Sequence, residues 1–177
     1  MESLLSAEGS LTLAISALAI VLGYRFTLPE RGRDFAGILV YVAAIAVTLA
    51  AAYGFVPRAG AVDPGLAGRI PGGLLLVAGF LLAGASFRAR LEAGRGRLAT
   101  GGPYARIRHP LYLGLGMVLA GHLLRLPSSA GLLSTALALA SYGFAAAAEE
   151  REAAARFGAE WEAYARRTGA VVPRRAG

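Results

Sequence analysis

The sequence predicts an all-α, polytopic membrane protein with about five transmembrane helices, a tight C-terminal helical hairpin and a cytoplasmic amphipathic helix. Three observations predict it. The 177-residue chain is 56% hydrophobic and only 16% charged, with a mean hydropathy of +0.55, a composition outside that of soluble domains. Long apolar runs recur along it. All 18 basic residues are arginines, and they punctuate those runs rather than gathering on one soluble face.

The length implies a single domain. Residues 1–87 carry three N-terminal spans, and residues 88–177 carry spans four and five and a tail helix. The first apolar segment covers 11–26, with a start as early as Leu4. The second, 35–56, would extend about 33 Å as a helix, enough for a hydrocarbon core of about 30 Å. The third covers 70–87. The fourth, 111–126, is short for a span. Pro127, Ser128 and Ser129 then turn the chain into a fifth segment that ends near Ala148.

Five spans place fifteen of the eighteen arginines on one side: Arg25 to Arg33, Arg88 to Arg108, and Arg151 to Arg175. Arg58, Arg69 and Arg125 fall on the other. The positive-inside bias puts the 88–110 loop and the C-terminus in the cytoplasm and the N-terminus outside. Glu2 and Glu8, with no basic residue before the first apolar run, do not read as a cleaved signal peptide. The Ala-, Gly- and Arg-rich usage points to a bacterial inner membrane.

Several classes are excluded or disfavoured. A net charge of +7 carried by span-flanking arginines does not present a nucleic-acid surface. The chain has no cysteine, so disulfides and thiolate chemistry are absent. No charged residue lies near the middle of a span, which disfavours an ion or proton transporter. His122 has no second histidine beside it, and no metal is expected. Gly116 and Ala120 have the small-xxx-small spacing that brings membrane helices together.

Chemistry concentrates in residues 100–116, TGGPYARIRHPLYLGLG. Gly101, Gly102 and Pro103 make a turn. Pro110 drives His109 out of helical geometry and suits the first turn of a helix. The fourth span therefore begins at Pro110, with Arg106, Arg108, His109 and Tyr112 around its positive end, a natural anion site. Gly114 and Gly116 thin the helix one turn deeper and leave room for a ligand. Glu149 and Glu150, at the end of the fifth span, should return to the same level. A basic turn facing an acidic pair suits a zwitterion, and S-adenosylmethionine fits that description. Beyond the pair, 149–167 reads as one surface helix with Phe157, Trp161 and Tyr164 in an aromatic stripe.

The combination GGPYARIRHPLYLG, the Glu149–Glu150 pair, FGAEWEAYARR and Pro173 resembles the isoprenylcysteine carboxyl methyltransferase and phospholipid methyltransferase family of integral membrane enzymes. The resemblance covers roughly 88–173. It implies S-adenosylmethionine as cofactor and a lipophilic methyl acceptor, lipid or lipidated, arriving from the bilayer. By position it places Tyr104, Arg108, His109, Pro110, Tyr112, Gly114, Glu149 and Glu150 in the cofactor site, with Gly102 and Pro103 shaping its entrance. The chain departs from the family pattern at Ala105, where an arginine is expected, and at 168–170, where Val-x-Arg is expected. Both departures bear on the acceptor.

Catalysis is expected from Glu150 and His109. A carboxylate acceptor needs only positioning in a water-poor pocket; an amine acceptor needs a base, for which Glu150 is the candidate. Two other readings compete. One is a reductase like the membrane sterol and steroid reductases, whose C-terminal portion resembles this family and binds a nicotinamide cofactor such as NADPH; Arg106 and Arg108 would then read a phosphate. A non-catalytic membrane scaffold or transporter would bind neither cofactor.

Overall fold

The computed structural model describes residues 62–94 and 96–174, so the two expected spans at 11–26 and 35–56 lie outside the described residues. Every regular element within them is a helix: α1 (Gly65–Ala93), a 3-10 turn (Gly102–Ala105), α2 (Pro110–Arg125), α3 (Ser129–Phe157) and α4 (Ala159–Arg167).

Helix α1 starts earlier and ends later than the apolar run 70–87 suggests. Asp63 accepts a hydrogen bond from the Gly65 amide at 2.9 Å and fixes the start. The end comes at Gly94, whose φ of 83° is left-handed and whose amide donates to the Leu91 carbonyl. Pro71 lies inside the helix, in its second turn.

Helix α2 runs antiparallel along α1 on a seam of glycines. Gly79 lies against Gly114 and Gly72 against Gly121, seven residues apart on each helix. A β-carbon on Gly79 would lie 2.6 Å from the Gly114 carbonyl oxygen, and one on Gly121 would lie 2.6 Å from that of Gly72. Ser86 continues the heptad on α1 and is fully buried. Conversely, Leu66, Ile70, Leu74, Val77 and Leu81 form an outward stripe on α1 and are all more than half exposed. Small residues inward and large apolar residues outward reverse the pattern of a water-soluble bundle and suit close helix packing in lipid. Two described helices, Gly65–Ala93 and Gly131–Phe157, are long and apolar enough to cross a membrane. At 16 residues, α2 would reach about 24 Å, shorter than a core of about 30 Å.

The fourth and fifth segments, expected to form a tight hairpin, meet less extensively than the third and fourth do. Helix α2 has its broad contact with α1 and a narrower one with α3. The glycines explain the difference. Those of α2 match glycines on α1, whereas a β-carbon at Gly116 would already meet a Leu139 methyl at 3.1 Å. Where α2 and α3 do touch, Tyr112 and Leu119 pack on Ala138 and Tyr142, with the two tyrosine rings stacked at 5.6 Å. The turn between the helices closes as the 127–129 sequence suggests: the Ser128 hydroxyl accepts from the Gly131 amide at 3.0 Å and caps α3.

The single surface helix expected over 149–167 is two pieces. Helix α3 runs through Glu149 and Glu150 to Phe157, and Gly158 breaks the chain at φ 50°, ψ −120°. Residues with a β-carbon avoid that conformation. The aromatic stripe divides with it: Trp161 and Tyr164 are buried together on α4, while the Phe157 ring lies under the Arg156 guanidinium. After α4 the chain doubles back, and Gly169 bridges Ile107 in parallel.

Candidate active site

The site forms where four pieces of chain meet: the end of α1, the start of α2, the C-terminal third of α3 and the segment after α4. Its centre is the Arg108-His109-Pro110 turn. Pro110 occupies the first position of α2, and His109 takes φ −121°, ψ 54° just outside the helix. That geometry leaves the imidazole free of capping duty; no side chain caps this end of α2.

Backbone pairing fixes the turn from the other side. The Arg108 amide donates to Gly169 O at 2.8 Å and the His109 amide to Ala170 O at 2.9 Å, while Gly169 N donates to Arg106 O at 3.3 Å. Tyr164 adds a side-chain tie: its hydroxyl donates to Tyr104 O at 2.9 Å. Burial pushes the Tyr164 phenol up to about 12 and the neighbouring Tyr104 contributes, so the hydroxyl keeps its proton. Thr168, fully buried, donates to Tyr164 O at 2.7 Å.

The acidic pair meets this turn as the sequence reading requires. Arg108 Nε donates to Glu150 Oε1 at 2.8 Å, and its Nη1 donates to the carbonyls of Ala165 and Thr168 at 3.1 and 2.7 Å. His109 Nε2 lies 3.0 Å from the same Glu150 oxygen. An ionised carboxylate only accepts, so Nε2 carries a proton in this contact. His109 Nδ1 lies 3.8 Å from Glu149 Oε2. Tyr112 donates its phenol to Glu149 Oε1 at 2.8 Å.

The two glutamates therefore differ. Glu150 is occupied by Arg108 and His109. Glu149 borders a small pocket of about 180 Å3 of empty space, together with Arg90, Tyr104, Arg108, His109, Leu111 and Tyr112. Burial pushes the Tyr104 phenol up, and the Arg90 guanidinium beside it pulls the other way.

Of the residues singled out from sequence, Tyr104, Arg108, His109, Tyr112, Glu149 and Glu150 come together. Pro110 is fully buried beneath them as the first residue of α2. Gly114 does not border the pocket. The room expected beside it is filled by α1: a β-carbon there would lie 2.8 Å from both Gly79 O and Ala83 N. Arg106 is exposed and serves through its carbonyl. Gly102, at φ 57°, opens the 3-10 turn that delivers Tyr104.

Sequence reasoning missed Arg90, Tyr164 and Thr168 as site neighbours. A signal for Arg90 existed. It lies four residues beyond Ser86, on the face marked by Gly72, Gly79 and Ser86, so the seam that holds α2 also aims Arg90 at its start. No comparable pattern marks Thr168, whose burial depends on the chain doubling back after α4.

Among the described residues no group of acidic, histidine or cysteine side chains could hold a metal ion. The donor set instead fits the amino-acid end of S-adenosylmethionine: guanidinium groups for a carboxylate, a glutamate for an ammonium, phenols for either. No curated protein and no solved structure matches the chain. A family model described as phospholipid methyltransferase matches residues 69–160, just over half the sequence and every helix that borders the pocket, and the chain belongs to that family.

Proposed function

We propose that the protein is an S-adenosylmethionine-dependent methyltransferase whose acceptor is a lipophilic molecule reaching the site from the bilayer, and that the site lies at the cytoplasmic face of a bacterial inner membrane. The observation that carries the reading is the meeting of the Arg108–His109 turn with Glu149 and Glu150 beside one pocket. Family membership supports the reaction class.

In this reading Tyr104, Arg108, His109, Tyr112, Glu149 and Glu150 form the cofactor end of the site. Pro110 sets the turn, and Gly114 acts at one remove by letting α2 approach α1. The bound cofactor supplies a methyl group on a sulfonium, open to in-line attack. The protein contributes orientation and exclusion of water. For an amine acceptor it must also take a proton. The hydrogen-bonded pair His109 and Glu150 is placed for that, with His109 Nδ1 receiving the proton and Glu150 holding the ring through Nε2. A carboxylate acceptor releases no proton, and the pair then serves only to shape the pocket.

The test is transfer of a labelled methyl group from S-adenosylmethionine into the organic phase of membranes containing the protein. Wild type should label a lipid, and Glu150→Gln should lower the rate about 10- to 100-fold at saturating cofactor if the acceptor is an amine. No labelled lipid, with NADPH bound by the purified protein, would replace this reading with a reductase.

A further inference from the structure

We propose that Arg90, on the last turn of α1, is the residue that binds the carboxylate of the methyl donor, and that Arg108 is a brace holding the turn rather than the anion's ligand. The inference rests on the methyltransferase reading above and assigns its polar contacts.

Two arginines border the pocket, and they are in different states. Arg108 is spent. Its side chain is 14% exposed, and it already donates to the Glu150 carboxylate and to the carbonyls of Ala165 and Thr168. Each of those contacts joins separate pieces of chain, α3 to the turn and the turn to α4. To recruit Arg108 for a ligand would undo the closure that makes the pocket.

Arg90 is less committed: its side-chain hydrogen bond is to the neutral phenol of Tyr104, and it braces no separate pieces of backbone. None of the ion pairs among the described residues includes it. It borders the pocket with Tyr104, Tyr112 and Glu149. Its position is set by backbone rather than by a flexible loop, since α1 is locked to α2 through Gly72, Gly79 and Ser86. A guanidinium so held offers a planar, two-point fit to a carboxylate. Glu149, across the same pocket and held by Tyr112, offers the complementary contact to an α-ammonium.

The experiment compares two probes on the full-length protein purified in detergent: S-adenosylmethionine and its decarboxylated form, which lacks only the carboxylate. Arg90→Gln should weaken binding of the first by about tenfold or more, the loss of one charge-assisted contact, and change the second by less than about threefold. Arg90→Lys keeps the charge without the planar fork and should fall between wild type and Arg90→Gln for S-adenosylmethionine alone; it carries the same comparison if Arg90→Gln does not fold. Equal weakening of both probes, or of neither, overturns the assignment to Arg90. Failure of the wild type to bind either probe overturns the methyltransferase reading itself, and with it the inference.

Discussion

Arg108 Nε and Glu150 Oε1 stand 2.8 Å apart across 42 residues of sequence, and that pair joins the start of α2 to the C-terminal third of α3. The same guanidinium reaches the carbonyls of Ala165 and Thr168. One side chain therefore ties three elements together. Its partner oxygen also receives His109 Nε2, so the pair fixes the imidazole as well.

Arg108→Ala should accordingly destabilise the whole C-terminal half. The pair is partly buried, and removal leaves Glu150 with one donor and two carbonyls with none. A loss of about 2–3 kcal/mol is expected, less than for a fully buried pair because water reaches Glu150. Thermal unfolding in detergent should show a lowered midpoint, and limited proteolysis should cut first after α3. Arg108→Lys should recover little, since a single ammonium cannot serve acceptors in three directions. A variant as stable as wild type would show that the brace contributes nothing.

The small residues of the α1–α2 seam make a second prediction. Gly114→Ala would force a β-carbon to 2.8 Å from two backbone atoms of α1, contacts that no rotamer relieves. The helices must separate, at about 1–3 kcal/mol, and the pocket between Arg90 and His109 should widen. Gly84→Ala is the control: nothing lies within 4 Å of a β-carbon there, and an alanine in a helix gains up to about 1 kcal/mol over glycine. Melting temperatures of the two variants should move in opposite directions. If Gly114→Ala is neutral, the seam is looser than its backbone distances indicate.

Much of this architecture was legible in the chain, and the reason is local. Pro110 dictates both the start of α2 and the geometry of His109, because proline restricts its own φ and its predecessor's ψ. The 127–129 turn carries its own cap in Ser128. The Glu149–Glu150 pair meets the turn because the short 126–128 connection sends α3 back along α2, and α3, at 29 residues against 16, runs past the start of α2. What escaped depended on partners distant in sequence. The glycine spacing of α2 shows that a helix approaches, but only the matching heptad on α1 shows which one. Gly158 was hidden inside an otherwise helical pattern, where a single glycine is tolerated at a cost of about 1 kcal/mol. Arg90 looked like one more positive-inside arginine until Tyr104 and Glu149 closed around it.

Alkaline pH should expose the tie between Tyr164 and the 3-10 turn. The Tyr164 hydroxyl donates to Tyr104 O, a contact that only the protonated phenol can make. Its pKa is raised to about 12 in the folded protein, against about 10 for an unfolded tyrosine. The neutral form is therefore the one the fold favours. Its contribution is complete below about pH 10 and is lost as pH rises toward 12, since the unfolded chain gives up its proton first. Tyr104 is also pushed up, by burial, and acts in the same direction. Wild-type stability should fall steeply between pH 10 and 12, followed by tyrosinate absorbance and loss of helical signal together. Tyr164→Phe should be less stable at neutral pH by about 1 kcal/mol and show a shallower alkaline fall. If the variant loses stability over that range as steeply as wild type, the phenol is not the group that holds α4 against the turn.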